Sequence, residues 1–281
     1  LSKVENGIVQ NFYTKDGIAH NNSWDIQEDQ NNNLWIASYG GGITKFDGKK
    51  FTVFNEEKGL VNNFVRKLCV FEKQVFIGTQ DGISILNTKN DSISTIKTNA
   101  FAIHDIGAQN FQVMDFFTHN NEIYLGTFRH GIFKIDSKNN ALKKVFDFKS
   151  NLDALFSIYK NDSILYYGID GATTDLIKGA FKKFKIEKLL NNDAEELVFG
   201  RSVFWDYATD TKNNVYGAAW GVNGIKGGIF QIKNDSLIKR NEDFGVESSH
   251  VKCLFYDAKF DFLYVGTRDK GVYEIDLSEK T

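Results

Sequence analysis

The chain reads as all-β: a single β-propeller of about six four-stranded blades spanning residues 1–281, its last blade closed by the N-terminal strand. Three observations predict this. A phrase of short apolar strands separated by turn residues recurs along the chain. Its copies lie 41 to 50 residues apart, which is the repeat length of propeller blades. The two ends of the chain complement one another.

The first copy is the clearest. Ser23 to Asp29 forms one strand, Gln30 to Asn33 a turn, and Leu34 to Ser38 a second strand. Tyr39 to Gly42 turns the chain again, and Ile43 to Asp47 and Lys50 to Phe54 supply the third and fourth strands. The second-strand phrase returns as Val75 to Thr79, Ile123 to Thr127 and Leu263 to Thr267, each followed by a Gly-led third strand. Weaker copies at Ile164 to Ile169 and Val215 to Ala219 fill the interval. Many of these strands are short continuous apolar runs, as expected of strands buried on both faces between neighbouring blades. The segment Lys3 to Ile18 matches Lys45 to Phe54 and the Gly59-Leu60 beyond it, whereas the chain ends just after a third strand, at Asp276 to Lys280. The opening segment is therefore expected to complete the sixth blade and cover its edge.

Composition supports this architecture and excludes others. With 25 Phe and 11 Tyr the chain has ample material for a β core, and with no proline its turns must be made by Gly, Asn and Asp. A net charge of -2 without like-charge blocks argues against nucleic acid as a partner. No window approaches the roughly 20 apolar residues of a membrane span, so no membrane insertion is expected of this chain. The two cysteines, Cys69 and Cys253, fall on first strands of separate blades, too far apart to bridge, and are expected as buried, reduced thiols.

Several motifs have a plain structural reading. Trp35 occupies the position filled elsewhere by Phe76, Tyr124, Tyr166, Tyr216 and Tyr264 and is expected to pack the blade. Asp29 to Asn33 lacks the glycine and distal glutamate of a calcium loop and reads as a turn. Trp24-Asp25 and Trp205-Asp206 lie on first strands, the wrong strand for the Trp-Asp signature of another propeller family.

The phrase Gly59-Leu60-Val61-Asn62-Asn63 (and Gly17-Ile18-Ala19-His20-Asn21), an acidic turn, then Leu34-Trp35-Ile36 and Gly41-Gly42-Ile43 ending in Phe46-Asp47, resembles the two-component regulator propeller repeat. The resemblance covers about two thirds of the chain. It implies an extracytoplasmic sensor region of the kind found in bacterial hybrid histidine kinases, and hence a periplasmic or cell-surface location.

Strand alternation places the second-to-third loops and the blade-to-blade connections on one face. That face gathers Tyr39, Gln80, Asp81, Arg129, His130, Asp170, Trp220, Arg268 and Lys270 from the loops, and His20, Asn21, Asn63, Gln109, Arg201 and His250 from the connections. Loops held by a rigid scaffold are where binding residues concentrate. Tyr39, Gln80, Arg129, His130, Asp170, Arg201, Trp220 and Arg268 are the candidate ligand-binding set, for a small polar ligand, carbohydrate or peptide, or another protein. No catalytic residue, metal or cofactor is expected, since no catalytic motif is present. The alternative is a metal-dependent lyase or hydrolase at the propeller axis using His20, His130 and His250; a structural scaffold is a third possibility.

Overall fold

Local turn chemistry sets most strand boundaries. In the computed structural model, residues 1–96, 98, 111–136, 138–147, 153–161, 164–173, 176–185, 203–221, 227–233 and 236–279 are described. The chain divides into two compact units, Leu1–Val145 and Phe146–Thr281.

The first unit begins with a hairpin of β1 (Ser2–Glu5) and β2 (Ile8–Asn11). Three four-stranded antiparallel sheets follow. The first contains β3 (Ser23–Glu28), β4 (Leu34–Ser38), β5 (Gly42–Phe46) and β6 (Phe51–Phe54). The second contains β7 (Val65–Phe71), β8 (Gln74–Thr79), β9 (Gly82–Asn87) and β10 (Ile93–Ile96), and the third β11 (Val113–His119), β12 (Glu122–Thr127), β13 (Ile132–Asp136) and β14 (Ala141–Phe146).

The second unit holds a three-stranded sheet, β15 (Asp153–Asn161), β16 (Ile164–Thr173) and β17 (Leu176–Lys185). A four-stranded sheet follows: β18 (Val203–Thr209), β19 (Val215–Trp220), β20 (Gly228–Lys233) and β21 (Ser236–Lys239). The last sheet is three-stranded, with β22 (Val251–Asp257), β23 (Phe262–Thr267) and β24 (Val272–Asp276).

The all-β propeller class holds, with corrections in detail. Among the described residues four sheets have the expected four strands and two have three. The N-terminal segment does not complete the sheet of β22, β23 and β24. It pairs with itself, because Asn6 (φ 50°) and Gly7 (φ 76°) form a two-residue turn that brings Glu5 opposite Ile8. Asn-Gly with both residues at positive φ is the preferred tight hairpin turn.

Side-chain alternation builds the core between consecutive sheets. On β8, Val75 and Ile77 join Trp35, Ile43 and Leu68 in the layer toward the first sheet. Phe76 points the other way and joins Phe116, Leu125 and Phe133 of the third. In the second unit, Phe204, Tyr207 and Phe230 pack with Tyr159, and Ala218, Ile229, Leu254 and Val265 fill the next layer. Within each unit the first strands lie side by side, β7 between β3 and β11, and β18 between β15 and β22.

Asx turns close the first hairpin of two sheets alike. The Asp29 carboxylate accepts from the backbone N–H groups of Asn31 and Asn33, from Asn33 Nδ2, and from the buried Trp35 indole at 2.9 Å. Asp210 accepts from Lys212, Asn214 and, at 3.3 Å, the Tyr216 hydroxyl. Burial opposes ionisation of Asp29, but the hydrogen bonds from Asn33, Trp35 and Asn31 outweigh it and hold its pKa below the usual carboxylate value.

Neither cysteine forms a disulfide, but they are not both buried. Cys69 is packed beside the core layer of the second and third sheets. Burial, reinforced by Asp115 and Asp25, pushes its thiol up to about 12. Cys253 is exposed, because β22 turns one face to the core while Cys253 and Phe255 (63% exposed) occupy the open one.

Candidate functional site

Every first strand has a β-bulge near its start. The ladder slips between Ser23 and Asp25, Val65 and Lys67, Val113 and Asp115, Leu155 and Ser157, Phe204 and Asp206, and Val251 and Cys253. The residue left without a cross-strand partner is in turn Trp24, Arg66, Met114, Phe156, Trp205 and Lys252. A bulge releases its residue from the pleat and re-aims the side chain. The same slot in six strands thus carries three aromatic rings, two cations and a thioether.

In the first unit the slots of adjacent sheets meet. Trp24 stacks on Tyr39, ring centroids 4.9 Å apart. Arg66, from the next sheet, places its guanidinium carbon 5.0 Å from the Trp24 ring and 5.5 Å from that of Tyr39. Phe64 meets Tyr39 edge-on at 5.0 Å, and a backbone bridge joins the same two residues. Trp24 and Phe64 are 40% and 41% exposed, so the cluster is open to solvent. Burial lowers the Arg66 pKa, and Tyr39 opposes that shift.

The second unit repeats the arrangement. Trp205 lies 5.9 Å from Trp220, and the Lys252 ammonium sits 3.4 Å from one ring centroid and 4.0 Å from the other. Arg268 adds a second cation 5.0 Å from Trp220, and His250, bridged to Trp220 through the backbone, meets it edge-on at 5.2 Å. His250 Nδ1 is 3.8 Å from Asp269, which also accepts from Ser248 Oγ at 2.5 Å. The Ser248 bond, followed by smaller effects of His250 and Lys270, holds Asp269 below the usual carboxylate pKa.

The two clusters correspond residue by residue: Trp24 to Trp205, Tyr39 to Trp220, Phe64 to His250, Arg66 to Lys252. The aspartate after each tryptophan ties the sheets together. Asp25 accepts from the Leu68 N–H at 2.8 Å and Asp206 from the Leu254 N–H at 2.9 Å. The Trp-Asp pair therefore has a positional meaning: the bulge turns the indole toward the loop face and leaves the carboxylate to fasten the next blade.

The structure brings Tyr39 into the first cluster and Trp220 and Arg268, with His250, into the second. Arg129 lies with its guanidinium carbon 5.2 Å from the Phe128 ring, its Nε buried without a hydrogen-bond partner. Gln80 is half-buried and donates its backbone N–H to Phe64. His130 is buried and stacked on Phe111 at 5.5 Å, so its ring belongs to the packing. Asp170 is within β16, paired with Ala154 and Gly179, and not in a loop. Arg201 and Gln109 lie outside the described residues.

Among the connection residues, Asn21 and Asn63 cap the short turns before them, accepting from the backbone N–H groups of Thr14 and Glu56. His20 accepts from the Asn22 N–H through Nδ1. Among the described residues no group of three His, Cys, Asp or Glu comes together to hold a metal ion.

Sequence reasoning missed Arg66 and Lys252 and discounted Trp24 and Trp205. Phe64-Val65-Arg66 and His250-Val251-Lys252 share a spacing, as do the two Trp-Asp pairs. That shared spacing was the available signal; the bulge that gives it meaning is a three-dimensional feature.

Comparison with known proteins follows the same lines. The extracellular domain of the hybrid two component system BT3049 from B. thetaiotaomicron superposes with a TM-score of 0.74 at 17% identity, over 96% of this chain and 36% of that one. The extracellular domain of BT4673 from the same organism gives 0.58 at 15% identity, over 95% and 39%. The computationally designed protein Ika8 gives 0.57 at 15% identity, over 90% and 70%. The chain thus spans well under half of the two natural domains. No curated protein matches it in sequence. Residues 17–40 match the model of the two component regulator propeller, and these run from the Gly-Ile-x-x-Asn turn through β3 and β4 to the loop that holds Tyr39. The chain is a β-propeller in which one stretch, residues 17–40, matches the two component regulator propeller repeat.

Proposed function

We propose that the chain, acting as one propeller domain, is an extracytoplasmic ligand-sensing or partner-binding module of two-component regulator type, periplasmic or at the cell surface, and not an enzyme. The observation that supports this best is the pair of equivalent aromatic and cationic clusters, one in each unit, where a second-to-third loop meets the connection into the next sheet. Stacked rings beside semi-buried cations suit recognition of a ligand. The matched repeat and the extracellular domains with similar folds point the same way. The ligand is a small polar molecule, carbohydrate or peptide, or the partner is a protein.

The test is a thermal-shift screen of the purified chain against glycans, metabolites and peptides, followed by calorimetry on the hits, since a ligand of the folded state raises apparent stability. Combined alanine substitution of Tyr39, Arg129 and Arg268 is expected to weaken binding at least tenfold with the fold retained. Unchanged affinity removes this face from consideration.

A further inference from the structure

The bulge clusters carry a more specific chemistry. Arg66 is half-buried, yet no carboxylate of the described residues pairs with it, and its Nε is buried without a hydrogen-bond partner. Ser23 and Ser38, opposite one another beside Trp24 and Tyr39, also leave buried hydroxyl oxygens unpartnered. In the second unit the buried Trp205 Nε1 has no partner either, and no carboxylate of the described residues pairs with Arg268. Orphaned donors in a partly desolvated place are costly, and folded proteins rarely leave them so. An aromatic platform half-open to water lies under each cation.

We propose that each cluster is a subsite for an acid built on a flat or chair-shaped six-membered ring. The bulge cation takes the carboxylate, and the indole of the preceding bulge takes the apolar face of the ring. In the first subsite the acid meets Arg66, Trp24 and Tyr39. In the second it meets Lys252 and Arg268, Trp205 and Trp220. Stacking on the indoles holds each cation in place before the ligand arrives, so little side-chain freedom is lost on binding. The guanidinium of Arg66 presents a planar fork suited to a carboxylate, which the ammonium of Lys252 lacks. The first subsite is therefore the more selective of the two. This inference rests on the reading of the loop face as ligand-binding.

Benzoate and glucuronate are the ring-acid probes, benzamide and methyl glucoside their neutral counterparts, and acetate and sulfate the bare anions. Calorimetric titration is expected to show at least one ring acid binding at least tenfold more tightly than its neutral counterpart and than acetate or sulfate. The benzoate and glucuronate arms tell an aromatic from a sugar acid. R66Q is expected to lose roughly tenfold or more in affinity at one site, with R66K intermediate. K252Q is expected to weaken the other site alone. W24L, which keeps the charge and removes the platform, supplies the second variant should R66Q fail to fold, and is expected to cost three- to tenfold.

Equal binding of acid and neutral probe, equal binding of acetate or sulfate, no binding of any acid, or unchanged affinity in folded R66Q and K252Q would each overturn the proposal. Neutral glycans or peptides that bind in a manner dependent on Tyr39, Arg129 and Arg268, while the acids do not, would overturn this inference and leave the sensor reading standing.

Discussion

The first cluster, around Trp24 and Arg66, and the second, around Trp205 and Lys252, share a backbone and differ in chemistry. Both are made by a bulged tryptophan, the aromatic residue at or just past the end of the second strand, and the bulged cation of the next sheet. In the first the cation is a guanidinium over an indole and a phenol; in the second it is an ammonium between two indoles, with Arg268 and a His250–Asp269 pair beside it. Backbone geometry was thus repeated while the side chains diverged. Repetition places the cluster, and local substitution decides its chemistry. The same contrast extends to the surrounding turns and thiols, where it can be tested by measurement.

The largest effect is expected at the hairpin that carries Tyr39. Gly42 has φ 85°, and a Cβ there would overlap the Phe54 carbonyl oxygen, which the sheet holds in place. At the corresponding Gly228 (φ 130°) the obstacle is the Asn241 side chain. Chemical denaturation should show G42A destabilised by about 3–4 kcal/mol and G228A by about half that, since a side chain yields and a backbone carbonyl does not. Equal losses would break the comparison.

The thiols should separate next. At pH 8 a soluble maleimide or disulfide reagent is expected to modify Cys253 at least about 100-fold faster than Cys69, because the thiolate reacts and burial suppresses it at Cys69. Peptide mapping after timed labelling reads this directly; comparable rates would mean that β7 is no better covered than β22.

A smaller difference is expected between the two Asx turns. D29A leaves the buried Trp35 indole N–H without its acceptor and should cost about 2–3 kcal/mol. D210A loses the longer contact to Tyr216 and should cost about 1 kcal/mol less. Denaturant midpoints of the two variants, compared with slopes held constant, decide it.

The smallest effect concerns pH. The native pKa of Asp29 is depressed relative to the unfolded chain, so its stabilisation is complete above the ordinary carboxylate pKa and is lost as pH falls from there through the native value. Melting temperature should therefore drop below about pH 4, and D29N should shrink that drop by a degree or two. An identical acid limb in D29N would assign the effect to other carboxylates.

Much of this fold was legible because its signals are local. Turn residues and apolar runs repeat with the blade, and Trp35 reads as a packing residue from its aligned aromatics and is fully buried. The failures share a cause. The N-terminal segment was aligned correctly with a third-strand, turn and fourth-strand phrase, but its Asn6-Gly7 turn folds it back on itself. Asp170 was placed in a loop because nothing in the sequence marks how far a β-strand runs, and β16 continues to Thr173. His130 was placed on the ligand face because a polar residue beside glycine looks like loop surface, whereas its ring is buried against Phe111. Arg66 and Lys252 were passed over because alternation counts residues evenly, and a bulge breaks the count where it matters. The positions of Tyr39, Trp220 and Arg268 were legible because they sit at strand ends, where the phrase itself points.

The slot in the first strands has a consequence for how such molecules diversify. A residue that opposes nothing in its ladder is released from the cross-strand pairing that constrains its neighbours, so each sheet offers one position, at the same place in its first strand, where the side chain can vary with the backbone kept. Tryptophan, arginine, methionine, phenylalanine and lysine already occupy it in one chain. Selection, or an engineer, could rewrite that row a letter at a time while the scaffold stays untouched.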